Sequence, residues 1–296
     1  MSNIMCSKKH QDLTYSFEIG NCEMMESFSL PRNIPVHTHS TFDEITIVLS
    51  GSCLHVIDNE RYPLMRGDIF VIKGEEAHGL KKLSNFKLID IVYKRDFFKN
   101  VINELIDIPG FQALFVYEPM FRKMNNFKAK LHLNSNQLNE LMPIIKLMKK
   151  IQLDKMPGYK IATEYVFKLV VISLCSYYSE TDIPRSKELL RISEVINFME
   201  KSFAEKITLN DLADKINLTV PTFRRAFKRV TGCSPIDYLI RLRVEEAAKM
   251  MSENNEIKVI DAAMNSGFDN SSYFTRKFKQ VMEITPAEYL KLQKIV

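Results

Sequence analysis

Two stretches in the last third of the chain share one layout, and that layout restricts the fold more than any other feature. The second of them, AAMNSGFDNSSYFTRKFKQ at 262–280, reads as a small-residue helix, a glycine break and another helix. Ala262 and Ala263 allow a neighbouring helix to come close, Gly267 can take the positive φ that ends a helix, and Phe268 can fill the gap. Asp269 offers an oxygen to cap the next helix. Phe274 and Phe278 are four apart and share the face to be buried, which leaves Ser271, Ser272, Thr275 and Arg276 on the other side. Upstream, Thr208 and Asp211 have capping-box spacing ahead of DLADKI, and Asn217 and Leu218 turn the chain to Thr219, read as another cap. The helix VPTFRRAFKRV follows, with Pro221 in its first turn. Its Phe223 and Phe227 face inward, and Pro221, Thr222, Arg224, Arg225 and Lys228 face outward. PIDYLIRLRVEEAAKMM, 235–251, is long enough to hold the two units rigidly apart.

Hydroxyls and guanidinium groups on an exposed helix face suit base edges and phosphates. The phenylalanine spacing alone, however, fits any helical core, and a surface arginine is ordinarily just solvated. Charge adds a little. Residues 185–296 hold 19 basic and 15 acidic side chains, net +4, while the first 184 residues hold 22 and 21, net +1. A whole-chain charge of +5 permits an anionic partner without requiring one.

The front of the chain has another rhythm. Glu44–Ser50, Cys53–Ile57, Asp68–Ile72 and Leu88–Tyr93 are short apolar runs separated by Gly51, the turn at 58–60 and Gly67, the spacing of an all-β barrel or sandwich. His37 and His39 are two apart and point the same way on a strand. Glu44 opens the next run, and His78 follows in GDIFVIKGEEAHGL. Three imidazoles and a carboxylate can hold Fe²⁺, Mn²⁺, Zn²⁺ or a related ion, or they can serve as polar contacts for a small ligand, or merely satisfy one another. Helical periodicity takes over beyond residue 97. Leu138, Leu141, Ile145, Met148 and Leu153 line one helix, with Pro143 as a candidate kink. Ile161, Tyr165, Leu169, Ile172 and Cys175 line the next. These helices either pack on the β domain or pair two chains.

The length of 296 residues accommodates two domains. No run of about 18 apolar residues marks a membrane span and MSNIMCSKKHQDL lacks an apolar signal-peptide core, so the protein is expected to be cytoplasmic and without membrane contact. Cys6, Cys22, Cys53, Cys175 and Cys233 are scattered, without metal-ligand spacing, and are expected to be reduced.

TGCSPIDYLIRLRVEEAAKM and GFDNSSYFTRKFKQVMEITPAEYL resemble the signature of the AraC/XylS family of bacterial transcription regulators over about 190–291. Ala213, Phe227, Gly232, Arg241, Ala247, Gly267, Phe268, Phe274, Phe278, Pro286 and Tyr289 carry the match. The resemblance implies two recognition helices in successive major grooves of double-stranded DNA. By position, Pro221, Arg224 and Arg225, then Ser271, Ser272, Thr275 and Arg276, would contact bases, and Lys228 and Lys279 phosphates. Two departures stand out: Ala262 replaces the usual isoleucine of an Ile-Ala pair, and Glu283 and Ile284 stand where the family has a glycine before Thr-Pro. PVHTHSTFDEITIVLSG and the His78 stretch resemble the two cupin motifs, although Lys73, Glu75 and Lys82 replace the usual proline, glycine and asparagine of the second.

Together these features lead to a multidomain expectation. Residues 1–180 form a cupin-like effector-binding and dimerisation domain, a β-barrel over about 13–95 with flanking helices over about 97–178. Residues 181–189 are a linker. Residues 190–296 form an all-α DNA-binding domain with helix-turn-helix units at about 208–230 and 258–280. His37, His39, Glu44 and His78 are the expected ligand contacts for a small effector such as a sugar. The expected activity is ligand-responsive regulation of transcription, activating through RNA polymerase, by a homodimer with no catalytic residues, no cofactor and no committed metal. The competing readings are a metal-dependent cupin enzyme carrying a DNA-binding tail, with the same four residues as ligands, and a helical protein-interaction module.

Overall fold

The computed structural model describes residues 13–15, 22–27, 33–57, 60–100, 102–125, 129–254 and 256–293. Cys6, and Asp58 and Asn59 of the expected turn, lie outside them. Chain packing divides the molecule into two compact units, Met1–Leu190 and Arg191–Val296.

Among the described residues the first unit is built on one eight-stranded sheet: β1 (Leu13–Tyr15), β2 (Cys22–Ser27), β3 (Ile34–His39), β4 (Phe42–Ile57), β5 (Glu60–Met65), β6 (Asp68–Ile72), β7 (His78–Lys94) and β8 (Leu131–His132). The order is β1-β3-β7-β4-β6-β8, with β2 added on β7 and β5 on β4. This corrects the expected barrel. Among the described residues the path has two ends, β1 and β8, which do not pair, so the sheet is open. Closure needs long end strands in matching register. Among the described residues β1 has three and β8 two.

The sheet is organised instead by β4 and β7, of 16 and 17 residues, which pair with each other antiparallel along most of their length. Register shifts between Val48 and Leu54 let both bend. Gly51, where the sequence suggests a break, lies inside β4. Its φ is +73°, and a Cβ there would sit 2.2 Å from the Ser84 carbonyl oxygen, so only glycine fits the bend. The sheet interior collects Val48, Cys53, Ile57, Tyr62, Leu64, Phe70, Ile72, Leu80, Phe86 and Leu88.

Short helices α1 (Ile102–Leu105) and α2 (Pro109–Phe111) lead through a π-helical stretch, Gln112–Tyr117, into α3 (Glu118–Asn125). Helix α4 (Ser135–Asp154) runs on through Pro143 and packs against α5 (Tyr159–Ser179). Leu138, Leu141, Ile145 and Met148 are buried as their spacing predicts, but Leu153 is exposed. On α5 the packed residues are Thr163, Phe167, Val170, Val171, Leu174, Cys175 and Tyr178. Of the predicted stripe only Cys175 joins them; Ile161, Tyr165, Leu169 and Ile172 face outward, Tyr165 with 67% of its surface exposed. The helix is apolar on both sides, and periodicity alone cannot say which side packs. By length and composition α5 is also long and apolar enough to cross a membrane, a test that core helices of soluble domains pass as well. Cys53, Cys175 and Cys233 are free thiols.

Helix α6 (Pro184–Ser202) begins inside the stretch expected as linker, and the boundary between the units falls within it. The second unit continues with α7 (Leu209–Lys215), α8 (Val220–Thr231), α9 (Pro235–Glu253), α10 (Val259–Asn265), α11 (Ser271–Met282) and α12 (Pro286–Gln293). Val244, Ala247, Ala248 and Met251 of α9 pack with Ala262, Ala263, Phe268, Phe274 and Phe278, and the small Ala262 is fully buried there.

Candidate functional site

The two helix-turn-helix units are α7–α8 and α10–α11. Thr208 caps α7 with a complete capping box: its hydroxyl accepts from the Asp211 amide, and Asp211 accepts from the Thr208 amide at 2.8 Å. Thr219 occupies the cap position of α8, but its hydroxyl bonds Thr222 at 2.9 Å rather than the backbone. At α11 the cap is Asn270, which accepts from the Tyr273 amide at 2.8 Å, rather than the expected Asp269. Both residues have the required oxygen, and helix entry here comes one residue later. Gly267 has φ +86°, and a Cβ there would press on the Phe203–Ala204 backbone at 2.9 Å. The same segment is held by Arg243, whose guanidinium donates to the carbonyls of Phe203 and Glu205 at 2.7 Å.

The phenylalanines divide each second helix. Phe223 and Phe227 on α8 and Phe274 and Phe278 on α11 are fully buried and pack edge to face in pairs. Pro221, Arg224, Arg225 and Lys228 on α8, and Ser271, Ser272, Thr275, Arg276 and Lys279 on α11, are all exposed. The Arg276 guanidinium lies over the Tyr273 ring at 5.3 Å, which limits its rotamers without neutralising it. The Thr275 hydroxyl donates back to the Ser271 carbonyl.

The two helices also end alike. Gly232 closes α8 and Glu283 closes α11, both in the left-handed region, with φ +79° and +65°. Ser234 then caps α9 through Asp237, and Thr285 caps α12 through Glu288. The stretch 232–237 and the stretch 283–288 are thus one turn used twice, with glutamate in the glycine position of the second.

In the first unit, the sheet brings together all four residues proposed from the motifs. His37 pairs with His78 across β3 and β7, and both lie against His39, the three ring centroids 4.4–4.9 Å apart. The His39 Nε2 is 3.3 Å from the Nε2 of His78 and 3.3 Å from the Glu44 carboxylate. The Nδ1 atoms of His37 and His78 face the carbonyls of Pro35 and Glu76 at 2.9 and 3.0 Å. A carbonyl can only accept, so each Nδ1 carries the proton and each Nε2 is left with its lone pair. Burial, and then the neighbouring His78, lower the His37 pKa to about 4; burial lowers His78 too. For Glu44, burial alone would raise the pKa, but the hydrogen bond to His39 and the nearby imidazoles hold it well below the usual carboxylate range. His37 and His78 are therefore uncharged beside an ionised Glu44 carboxylate. One donor atom each from His37, His39 and His78 lies within 4.8 Å of the others. The donor set fits a divalent first-row transition ion.

Three neighbours escape sequence reading. Thr46 Oγ1 lies 2.9 Å from both Glu44 Oε1 and Asp90 Oδ1. Burial, with Glu44 alongside, raises the Asp90 pKa well above its ordinary value. His55 is 1% exposed, its ring 5.8 Å from that of His78. Its only signal in the sequence is a histidine in the otherwise apolar run Cys53–Ile57. The turn that delivers His78 is itself anchored, since Arg122, buried on α3, binds Glu76 at 2.9 Å, Glu118 at 2.6 Å and the Val71 carbonyl at 2.8 Å. Burial, with Glu76 nearby, raises the Glu118 pKa to about 7 despite Arg122.

Comparison with known proteins finds a match for each of the two regions. A helix-turn-helix domain model matches residues 212–292, and a cupin domain model matches 30–92. The HTH-type transcriptional activator RhaR of Enterobacter sp. (strain 638) is 26% identical over 88% of this chain and 88% of its own length. That of Mannheimia succiniciproducens is 24% identical over 86% of each. Among solved structures, the DNA-binding domain of AdpA in complex with a target DNA is 25% identical, covering 36% of this chain and 94% of its own, with a TM-score of 0.34. The structure of an apo ToxT variant from Vibrio cholerae covers 91% of this chain and 96% of its own at 16% identity, with a TM-score of 0.35.

Proposed function

We propose, for a chain that carries an AraC/XylS-type helix-turn-helix DNA-binding domain and an N-terminal cupin domain, a regulator of transcription that binds specific DNA sequences and answers to a small effector in its cupin unit. It is not an enzyme; the curated relatives named above are transcriptional activators. The observation that carries the reading is the split of α8 and α11 into a buried phenylalanine face and an exposed basic, hydroxyl-bearing face. Arg224, Arg225 and Pro221, with Ser271, Ser272, Thr275 and Arg276, read base edges; Lys228 and Lys279 meet phosphates.

The exposed side of α5, with Ile161, Tyr165, Leu169 and Ile172, pairs two copies of the chain. The regulator works in the cytoplasm and activates transcription through RNA polymerase; the relatives named above are called transcriptional activators. Effector binding must favour one arrangement of the DNA-binding units over another, or it shifts nothing. Selection of bound sites from random duplex DNA tests the core of this. Two half-patterns about 10.5 base pairs apart per chain are expected, and selection that enriches no sequence would remove the reading.

His37, His39, Glu44 and His78 are the effector contacts. A second reading of the same residues is favoured by the mutual approach of the three imidazole donors: they hold a divalent ion that forms part of the effector site. A bound ion would supply a Lewis-acidic point for an oxygen of the effector. Elemental analysis of protein purified without a histidine tag decides between the two, since the ion reading requires about one transition metal per chain.

A further inference from the structure

We propose that His55 is a further recognition residue of the cupin-domain site, an outer hydrogen-bonding partner for whatever group completes the shell of an ion held by His37, His39 and His78. The inference rests on the ion reading of that site. His55 lies on β4 opposite Leu80 of β7, two residues along from His78, and its ring stands edge-on to that of His78. It belongs to no motif. Strand alternation places it on the face of Cys53 and Ile57, inside the apolar cluster, with the Phe70 ring 5.2 Å away. An imidazole is a poor choice for that place, because both its nitrogens require partners when buried. Its Nδ1 is buried and has none among the described residues. Ile57 and Phe70 can offer none.

Nor does His55 belong to the set of donors that approach one another within 4.8 Å, so it is not a fourth ligand of the same ion. Its electrostatic neighbours are nevertheless those of the site: His78, Glu44 and His37, with Arg122 also close enough to act on it. A first-row divalent ion on these donors keeps further positions for water or for an oxygen of a bound molecule. A neutral imidazole beside the cluster can donate to or accept from a hydroxyl or a bound water, which suits an uncharged, hydroxyl-bearing molecule. The ionised Glu44 disfavours an anion.

The test uses full-length protein freed of metal and titrated with Co²⁺ alone, read by its visible absorption bands. Wild type should bind one equivalent, and His39→Ala should lose the bands. His55→Leu should weaken Co²⁺ binding by roughly 10–100-fold, the usual effect of removing an outer-shell partner, with band positions unchanged. His55→Gln, which keeps a donor and an acceptor, should recover most of the loss, and it also serves if the leucine variant does not fold. Equal affinity in wild type and His55→Leu, or no recovery with glutamine, makes His55 a core residue only and overturns the inference while the ion site stands. Shifted bands in His55→Leu would make it a direct ligand and overturn the outer role. Absence of bands in wild type removes the ion reading itself, and the inference with it.

Discussion

The repeated turn at the ends of α8 and α11 makes a stability prediction with a built-in control. Glu283 sits at φ +65°, ψ −10°, and Gly232 at φ +79°, ψ −12° in the equivalent place. An L-residue in this region costs about 1–2 kcal/mol. Glycine avoids that cost but gives back about 0.5–1 kcal/mol through the greater freedom of its unfolded chain. Removing a carboxylate from a helix C-terminus adds a few tenths, about 0.3 kcal/mol, because the macrodipole is negative there. Glu283→Gly should therefore stabilise the C-terminal unit by about 0.5–1 kcal/mol, or ~2–6 °C in its midpoint for a domain of this size. Gly232→Ala imposes the reverse exchange and should lower the midpoint by a similar amount. Calorimetry of the full chain reads both: the transition lowered by Gly232→Ala identifies the C-terminal unit, and Glu283→Gly must raise that same transition. If Glu283→Gly leaves it in place or lowers it while Gly232→Ala destabilises, the strain argument at Glu283 is wrong.

Arg276→Ala should relax sequence choice at one position, costing about 1–3 kcal/mol against the preferred base pair, whereas Lys279→Ala should weaken all sequences alike and reduce the salt slope of binding by about one; equal losses on every duplex for Arg276→Ala would make it a phosphate contact. The cupin unit should lose stability as pH falls from about 6.5 toward about 4, because unfolded histidine takes up its proton near 6.5 whereas folded His37 resists to about 4. His37→Gln should flatten that part of the melting-point profile, and a profile unchanged by the substitution would refute the depressed titration. Leu169→Glu, on the exposed side of α5, should convert a dimer into a folded monomer by light scattering; a wild-type chain that is monomeric at high concentration, with and without DNA, removes this interface. Arg122→Leu strands Glu76 and Glu118 in the interior and should cost about 3–5 kcal/mol, measurable by urea denaturation, and a near-neutral result would show that the pair of carboxylates is not held by that guanidinium.

What is legible in the sequence is what depends on neighbours along the chain. The Thr208–Asp211 box, the four-residue phenylalanine spacing and the glycine of the second turn are local, and each forms as read. So is the alternation that aims His37 and His39 the same way. The misreadings come where two local solutions are equally good. Asp269 and Asn270 are adjacent and can each cap α11, and α5 is apolar on both faces, so helical spacing selects the exposed Ile161, Tyr165, Leu169 and Ile172 as readily as the packed side.

The remainder is illegible because distance along the chain hides it. Thr46 meets Asp90 across 44 residues, and Arg122 meets Glu76 across 46, only because β4, β7 and α3 take particular registers. Barrel closure is of the same kind: strand spacing announces a sheet, but whether its two ends meet depends on the end strands, which among the described residues span three and two residues. His55 lies between these cases. Its place on the interior face follows from strand alternation, but its meaning follows only from the register that sets Leu80 opposite it and His78 beside it. A polar residue in an apolar run is thus a local signal with a non-local explanation, and in this chain it adjoins the cluster formed by His37, His39, Glu44 and His78.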